Sequence, residues 1–472
     1  MKILKKLFCA AIALGMMCAP VTAEQSAPVI IGVDEMVADK AGWTDSENAI
    51  KFENNSVIRE PNGKNTIYTY TAKKYQNELL EFNINFGEFS EYDWATIMLR
   101  TCETDQAYMW NMKQHYAFLM RPDYVEVQKR NGGAIVIGLW PHDIKPNETA
   151  TIQCGAVNFK NGVQLILKIN GKVIVNYFDN DNVITVPGWF ALTNSSTVTL
   201  SPSENKEFSF GNAIAAGLYL TDYEAGSTKL TASYEKMGGD DEMTLRWYEG
   251  DSSAWELISK KHPDQYDFKA LLKEIPGMEN KTEYNLTDAD VGQYIFTGVE
   301  TKDGYMTLSD EVYIDPYTYK TSNGTFIVNE YEKAYSNGKY KLIDKTNDMF
   351  TPETFDDVIY VPVRFINEET GGKTEWNDAE RSASFINGNK SSKVYADSST
   401  AVVDGKEITL KNSPIISNSR LMLGFDDIKT VFGIKAKMYD NELMSFSRET
   451  IELSDEEVNK MASSVIDAVI NN

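Results

Sequence analysis

The densest collection of side chains able to hold a ligand lies in one stretch: Trp94, Arg100, Trp110, Asn111, His115 and Tyr116, followed by Trp140-Pro141-His142-Asp143. Aromatic rings stack on the apolar face of a pyranose, while amide, carboxylate and guanidinium groups take its hydroxyls, so the set suits a sugar. Strand alternation puts Trp110 on one face with Tyr108 and Met112, a pattern that a buried face would share. Asp179 and Asp181, in the run Asp179-Asn180-Asp181-Asn182 after an apolar strand, offer oxygens for calcium; a plain polar turn has the same composition. His142 stands beside Asp143, but no Ser or Cys nucleophile in a motif accompanies it, so it reads as a surface residue.

Composition narrows the rest. The 472 residues carry 46 Lys+Arg against 69 Asp+Glu, a net charge of −23, which disfavours nucleic acid and anionic membrane surfaces. Three histidines leave little material for a zinc site. Residues 1–23 have the parts of an export signal: Lys2, Lys5 and Lys6, an apolar run from Leu7 to Ala19, and Val21-Thr22-Ala23 before Glu24. No second apolar run of spanning length follows, so the expected protein is exported, secreted or cell-surface, with no transmembrane segment once the signal is removed. Cys102 and Cys154 are the cysteines outside the signal; in an oxidising compartment they either pair as a disulfide or stand as two separately buried small residues.

The elements that must position these residues are strands. From about Ala41 to Leu200 short segments of alternating polarity are broken by Asn, Gly, Asp and Pro, as in Glu81-Phe82-Asn83-Ile84-Asn85-Phe86. Asn170-Gly171 between two apolar alternations marks a hairpin, and Trp189 sits in an apolar strand that reads as core. About a dozen such strands suit a two-sheet sandwich. The stretch Val163 to Ile174, followed by Pro187-Gly188-Trp189-Phe190-Ala191-Leu192, resembles the concanavalin A-like (laminin G-like) jelly roll, which assigns 24–205 to that fold. The resemblance implies carbohydrate or surface binding. Hydrolases of the same fold need two carboxylates at a fixed separation, and Glu78, Glu81 and Glu88 do not make that pattern.

Residues 211–316 carry Leu245-Arg246-Trp247-Tyr248 and, about forty residues on, Asp288-Ala289-Asp290-Val291-Gly292-Gln293-Tyr294. This pairing resembles bacterial surface immunoglobulin-like modules, which implies that Trp247 fills the space between sheets and that Asp290 and Tyr294 form the corner. Phe296 stands where an antibody domain has its cysteine, so apolar packing replaces the disulfide.

Residues 317–450 carry the most specific signal. Ile359-Tyr360-Val361-Pro362-Val363-Arg364-Phe365 leads through Gly371 to Trp376-Asn377-Asp378, and it resembles the copper amine oxidase N-terminal-like (stalk) domain. A shift of 62 residues lays Leu421–Asp440 over Ile359–Asp378, an internal duplication in which Gly424 replaces Pro362 and Asp426 replaces Arg364. The copper chemistry of those oxidases belongs to another domain, and the three histidines here lie outside this unit, so Arg364 reads as an internal ion-pair partner that orients its helix.

In 453–472, Ser454 and Glu457 make a capping box, and Val458, Met461, Val465, Ile466 and Val469 form one stripe. The stripe docks on its own domain or on a partner. The expected fold class is thus multidomain and mainly β: jelly-roll sandwich, immunoglobulin-like sandwich and an α+β stalk-type domain. The expected function is non-catalytic binding of a glycan or cell-envelope component, without cofactor unless calcium; the alternatives are an interaction scaffold of the cell envelope and a glycoside hydrolase.

Overall fold

The computed structural model describes residues 28–45, 49–61, 67–104, 112–204, 208–239, 241–259, 268–302 and 304–470. Residues 1–23, read above as an export signal, and Trp110 and Asn111 lie outside the described residues. The chain is mainly β and divides into two compact units. One comprises the residues up to Leu220 with 231–284 and 296–311; the other comprises 221–230, 285–295 and 312 onward. Their division runs through the stretch read as the second sandwich.

The first unit is built on two sheets. One has seven strands in the order Ala134–Pro141, Tyr124–Asn131, Gln114–Met120, Ala95–Thr101, Gly188–Asn194, Tyr68–Tyr75 and Trp43–Thr44. The other runs Lys172–Asp179, Gly162–Ile169, Thr149–Phe159, Leu79–Asn85, Val198–Ser201, Ser56–Arg59 and Ile50–Glu53, with Ile30–Gly32 parallel beside Leu79–Asn85. Alternation sends Phe82 and Ile84 from one sheet and Phe118 and Phe190 from the other into a shared core. Asn170 and Gly171 turn the predicted hairpin with positive φ, 50° and 81°.

The sandwich does not stand alone within its unit. The outward residues Leu79, Val157 and Ile166 of the eight-stranded sheet pack with Phe210, Ile214, Ala216 and Met237. Polar bonds fix the same face: Gln164 accepts from the Gly217 amide at 2.8 Å, and Asn176 donates to the Ala215 carbonyl and the Thr307 hydroxyl, both at 2.9 Å. One outer face of the sandwich is therefore consumed by packing against residues 210–237, while the outer face of the seven-stranded sheet is covered by Ile67 and Met112.

Farther along this unit Trp247 is fully buried on the strand Met243–Gly250; its ring lies 5.4 Å from that of Tyr284, and its Nε1 donates to the Lys281 carbonyl at 2.7 Å. Phe296 is equally buried.

In the second unit, Asp290 is buried and accepts from the Thr287 amide at 2.6 Å and hydroxyl at 2.9 Å, while the Tyr294 ring rests 4.8 Å from that of Tyr313. The duplication is visible as strand, helix, strand twice over: Val358–Pro362, Val363–Glu369, Lys373–Asn377, then Arg420–Gly424, Phe425–Phe432, Lys435–Met438. The first strands of the two copies pair antiparallel, Tyr360 with Gly424, Val361 with Leu423 and Pro362 with Met422. Under the 62-residue shift Tyr360 corresponds to Met422 and Pro362 to Gly424, so the pairing is symmetric about Val361–Leu423 and the copies are related by a local two-fold. Ile366 and its counterpart Ile428 are both fully buried, and Gly371 and Gly433 both take positive φ, 84° and 68°, where the helices stop.

The terminal helix Asp455–Ile470 opens with the predicted capping box: Ser454 N donates to Glu457 at 2.8 Å, and Glu457 N to the Ser454 hydroxyl at 3.3 Å. Val458, Met461 and Val465 pack on Phe326, Val328 and Leu443. The stripe is thus spent inside its own unit.

Candidate functional sites

In the sandwich, several residues expected at an exposed ligand face lie inside. Arg100, with φ of 55°, turns its guanidinium inward and donates to the carbonyls of Ile184, Gln76 and Ala156, the last at 2.6 Å. Burial lowers its pKa to about 10, which leaves it charged at neutral pH. The chain passes so close that a Cβ on Gly188 would meet the Arg100 backbone at 2.3 Å. Arg100 ties loops together and is corrected from ligand contact to buried clamp.

Tyr116 is likewise corrected. It is buried and donates its hydroxyl to Asp179 at 2.6 Å while accepting from the Ile184 amide at 3.0 Å. Asp179 also takes the Lys129 ammonium at 2.7 Å, with both side chains almost wholly out of water. Lys129 donates in addition to the Asp181 carbonyl. An ammonium therefore occupies the place where calcium was considered, and Asp181 itself is exposed. Among the described residues no group of three or more His, Cys, Asp or Glu could hold a metal. Cys102 is exposed and Cys154 buried, and both are free thiols, so the disulfide is absent. Glu81 is buried and bonded by Gln153 Nε2 at 2.6 Å, on the face of its sheet shared with Leu79, away from any cleft.

The outer face of the seven-stranded sheet is the part of the sandwich with unspent chemistry. Register aligns Thr69, Ala191, Met98, Ala117 and Gln128 across five strands, with Thr193, Thr96, Leu119 and Glu126 in the next row and His115 beside Arg130. Ile67 and Met112 cover the middle of this face, and Trp94 packs against the same cluster. Thr69 Oγ1, His115 Nδ1, Gln128 Oε1 and Thr193 Oγ1 are buried there without a hydrogen-bond partner. A buried polar atom left alone costs about 1–3 kcal/mol, and four of them share this one face. Burial, with the Arg130 charge, lowers the His115 pKa to about 4, so the ring is neutral at pH 7. Trp94, Glu126 and Arg130 are half-buried and form the rim. Sequence reading named Trp94 and His115 but missed Gln128, Thr69 and Thr193; alternation along Tyr124–Asn131 would have placed Gln128 opposite Val127.

The second unit contains a cavity of about 710 Å³. It lies on the side of the first copy and is walled by the helix residues Arg364, Phe365 and Glu368, the strand residue Trp376 and Asp378 in the turn after it, and Lys345 and Arg420. Arg364 does pair with Glu368 one turn along its helix, but the pair is loose and outward: its side chain is 59% exposed, and its Nε stands 3.9 Å from Glu368, beyond hydrogen-bonding distance. Pro362 closes the first strand of the copy and lines the cavity. Trp376 is 36% exposed, with its Nε1 fixed on Asp378 at 2.6 Å. Arg420 is spent on Asp344 and on Thr346 Oγ1 at 2.8 Å. Burial works to raise the Asp344 pKa, but the Thr346 bonds and Arg420 hold it down to about 2.

The fold and these sites define a multidomain, mainly β protein with a sandwich and a duplicated α+β unit. Residues 341–444 match the family described as the copper amine oxidase N-terminal domain, in agreement with the resemblance drawn from Ile359–Asp378. No curated protein matches the sequence. Solved structures similar to the chain include the carbohydrate-binding module CBM66 from Bacillus subtilis, at 14% identity and a TM-score of 0.27 over 38% of this chain and 96% of that one. The carbohydrate recognition domain of Emp46p in its metal-free form is similar at 13% identity and a TM-score of 0.28, over 34% and 86%. The Bacillus licheniformis β-glucanase is similar at 8% identity and a TM-score of 0.24, over 34% and 83%. Among the described residues no helix is long and apolar enough to cross a membrane.

Proposed function

We propose that this is a non-catalytic, exported carbohydrate-binding protein whose recognising surface is the outer face of the seven-stranded sheet, with the later elements as spacer and stalk. The observation that carries the reading is the group of four buried, unpartnered polar atoms on that face, from Thr69, His115, Gln128 and Thr193. Ala117 and Ala191 at its centre are buried beneath Ile67 and Met112, and a ligand would meet first the half-buried rim of Trp94, Glu126 and Arg130. Hydroxyl-rich ligands satisfy such groups, because each sugar hydroxyl both donates and accepts. The opposite outer face is consumed by packing against later elements of the same unit.

A glycan array probed with the intact chain tests this. We expect selective binding that falls about tenfold or more in Gln128→Ala and Trp94→Ala, each with an unchanged circular dichroism spectrum. Absence of binding, or full binding by both folded variants, would remove the sheet face from recognition.

A further inference from the structure

The geometry points to a second ligand site, separate from the sandwich: the cavity beside the first copy of the duplicated unit takes a carboxylate-bearing saccharide. Its volume, about 710 Å³, is in the range of sites for small ligands, about 300–1,000 Å³.

Three features of its wall select the ligand. First, two cations are at most loosely committed. Arg364 makes no hydrogen bond among the described residues and its one acidic neighbour, Glu368, is 3.9 Å away; Lys345 has no carboxylate partner among them. By contrast the other wall cations are committed, Lys341 to Glu369 at 2.6 Å and Arg420 to Asp344. A free guanidinium is a planar fork that fits a carboxylate with two parallel bonds. Second, Trp376 offers part of its ring to the solvent side while its Nε1 bond to Asp378 holds its orientation, which makes a stacking platform. Third, the acidic groups Glu368 and Asp378 share the wall with the cations. A simple anion would be repelled by them. A sugar acid instead presents its carboxylate to Arg364 and Lys345 and its hydroxyls to the acids.

The duplication supplies an internal comparison. Under the 62-residue shift Arg364 becomes Asp426, Phe365 becomes Asp427 and Trp376 becomes Met438. In the second copy Asp427 is buried and accepts from the amides of Lys411 at 2.9 Å and Asn412 at 3.1 Å, while Asp426 pairs with Lys411. The corresponding side chains there hold the fold. In the first copy Phe365 packs on the core, whereas Arg364 and Trp376 stay exposed on the cavity wall, tied only to Glu368 at 3.9 Å and to Asp378 at 2.6 Å, and they do less for the fold than their second-copy counterparts.

Calorimetric titration of the full chain with tetragalacturonate, with its fully methyl-esterified form, and with a hyaluronate tetrasaccharide tests the site. We expect saturable binding of at least one acidic tetrasaccharide, about tenfold or more weaker binding of the uncharged ester, and a similar loss in Arg364→Ala and in Trp376→Ala. Arg364→Lys should recover part of it. All these positions are exposed, and an unchanged thermal midpoint verifies folding. Gln128→Ala should leave acidic binding intact, which separates this site from the sheet face. Equal binding of acid and ester, unaltered binding in Arg364→Ala, loss in Gln128→Ala instead, or no binding of either acidic tetrasaccharide would each overturn the assignment.

Discussion

Replacing Asp179 with Ala should destabilise the sandwich by about 3–5 kcal/mol, the usual cost of leaving one member of a buried ion pair alone. Lys129 and Asp179 are 2.7 Å apart with side chains only 2% and 3% exposed, so bulk solvent does not reach the ammonium to replace its partner. The same substitution removes the acceptor of the Tyr116 hydroxyl, which also receives the Ile184 amide, so the turn after the strand Lys172–Asp179 loses its anchor. Asp179→Asn keeps an acceptor for Tyr116 but loses the charge, and it should fall between wild type and Ala. Adding Lys129→Met to Asp179→Ala should recover much of the loss, because an apolar pair of similar volume does not need the compensation. Urea unfolding followed by circular dichroism and by intrinsic fluorescence measures this, read on the transition that includes the sandwich, since a chain of two units need not unfold in one step. A loss below about 1 kcal/mol would mean that water reaches the pair.

Trp247→Ala should cost about 3–5 kcal/mol in the same assay. The ring is fully buried, tilted against that of Tyr284, and its Nε1 satisfies the Lys281 carbonyl, so the truncation creates a cavity and an orphaned acceptor together. Trp247→Phe refills most of the space without the N–H and should cost clearly less. Similar losses for the two variants would place the main contribution in the hydrogen bond instead of the packing.

Much of the architecture was legible because it rests on local rules. Asn170-Gly171 can do little but turn, Ser454 and Glu457 cap each other across one helical turn, and the 62-residue repeat states its own symmetry. The sites were less legible, since they depend on which way a side chain points across long sequence separations. Arg100 reads as a polar residue on a strand, yet its positive φ turns it inward to carbonyls as far away as Ile184. Asp179 reads as the start of an acidic loop, and only its pairing with Lys129, fifty residues earlier, makes it a buried charge. A hint was present: Val125, Val127 and Lys129 alternate, which puts a lysine on the inward face. The cavity beside Arg364 was out of reach because its wall gathers residues from Lys345 to Arg420.

Hydrogen exchange of the intact chain, with and without a glycan selected on the array, tests the central claim most directly. Binding at the outer sheet face predicts slower exchange in Gln114–Met120 and Tyr124–Asn131, with the strand Lys172–Asp179 of the other sheet unchanged. Protection confined to the eight-stranded sheet, or to residues outside the sandwich, would contradict it.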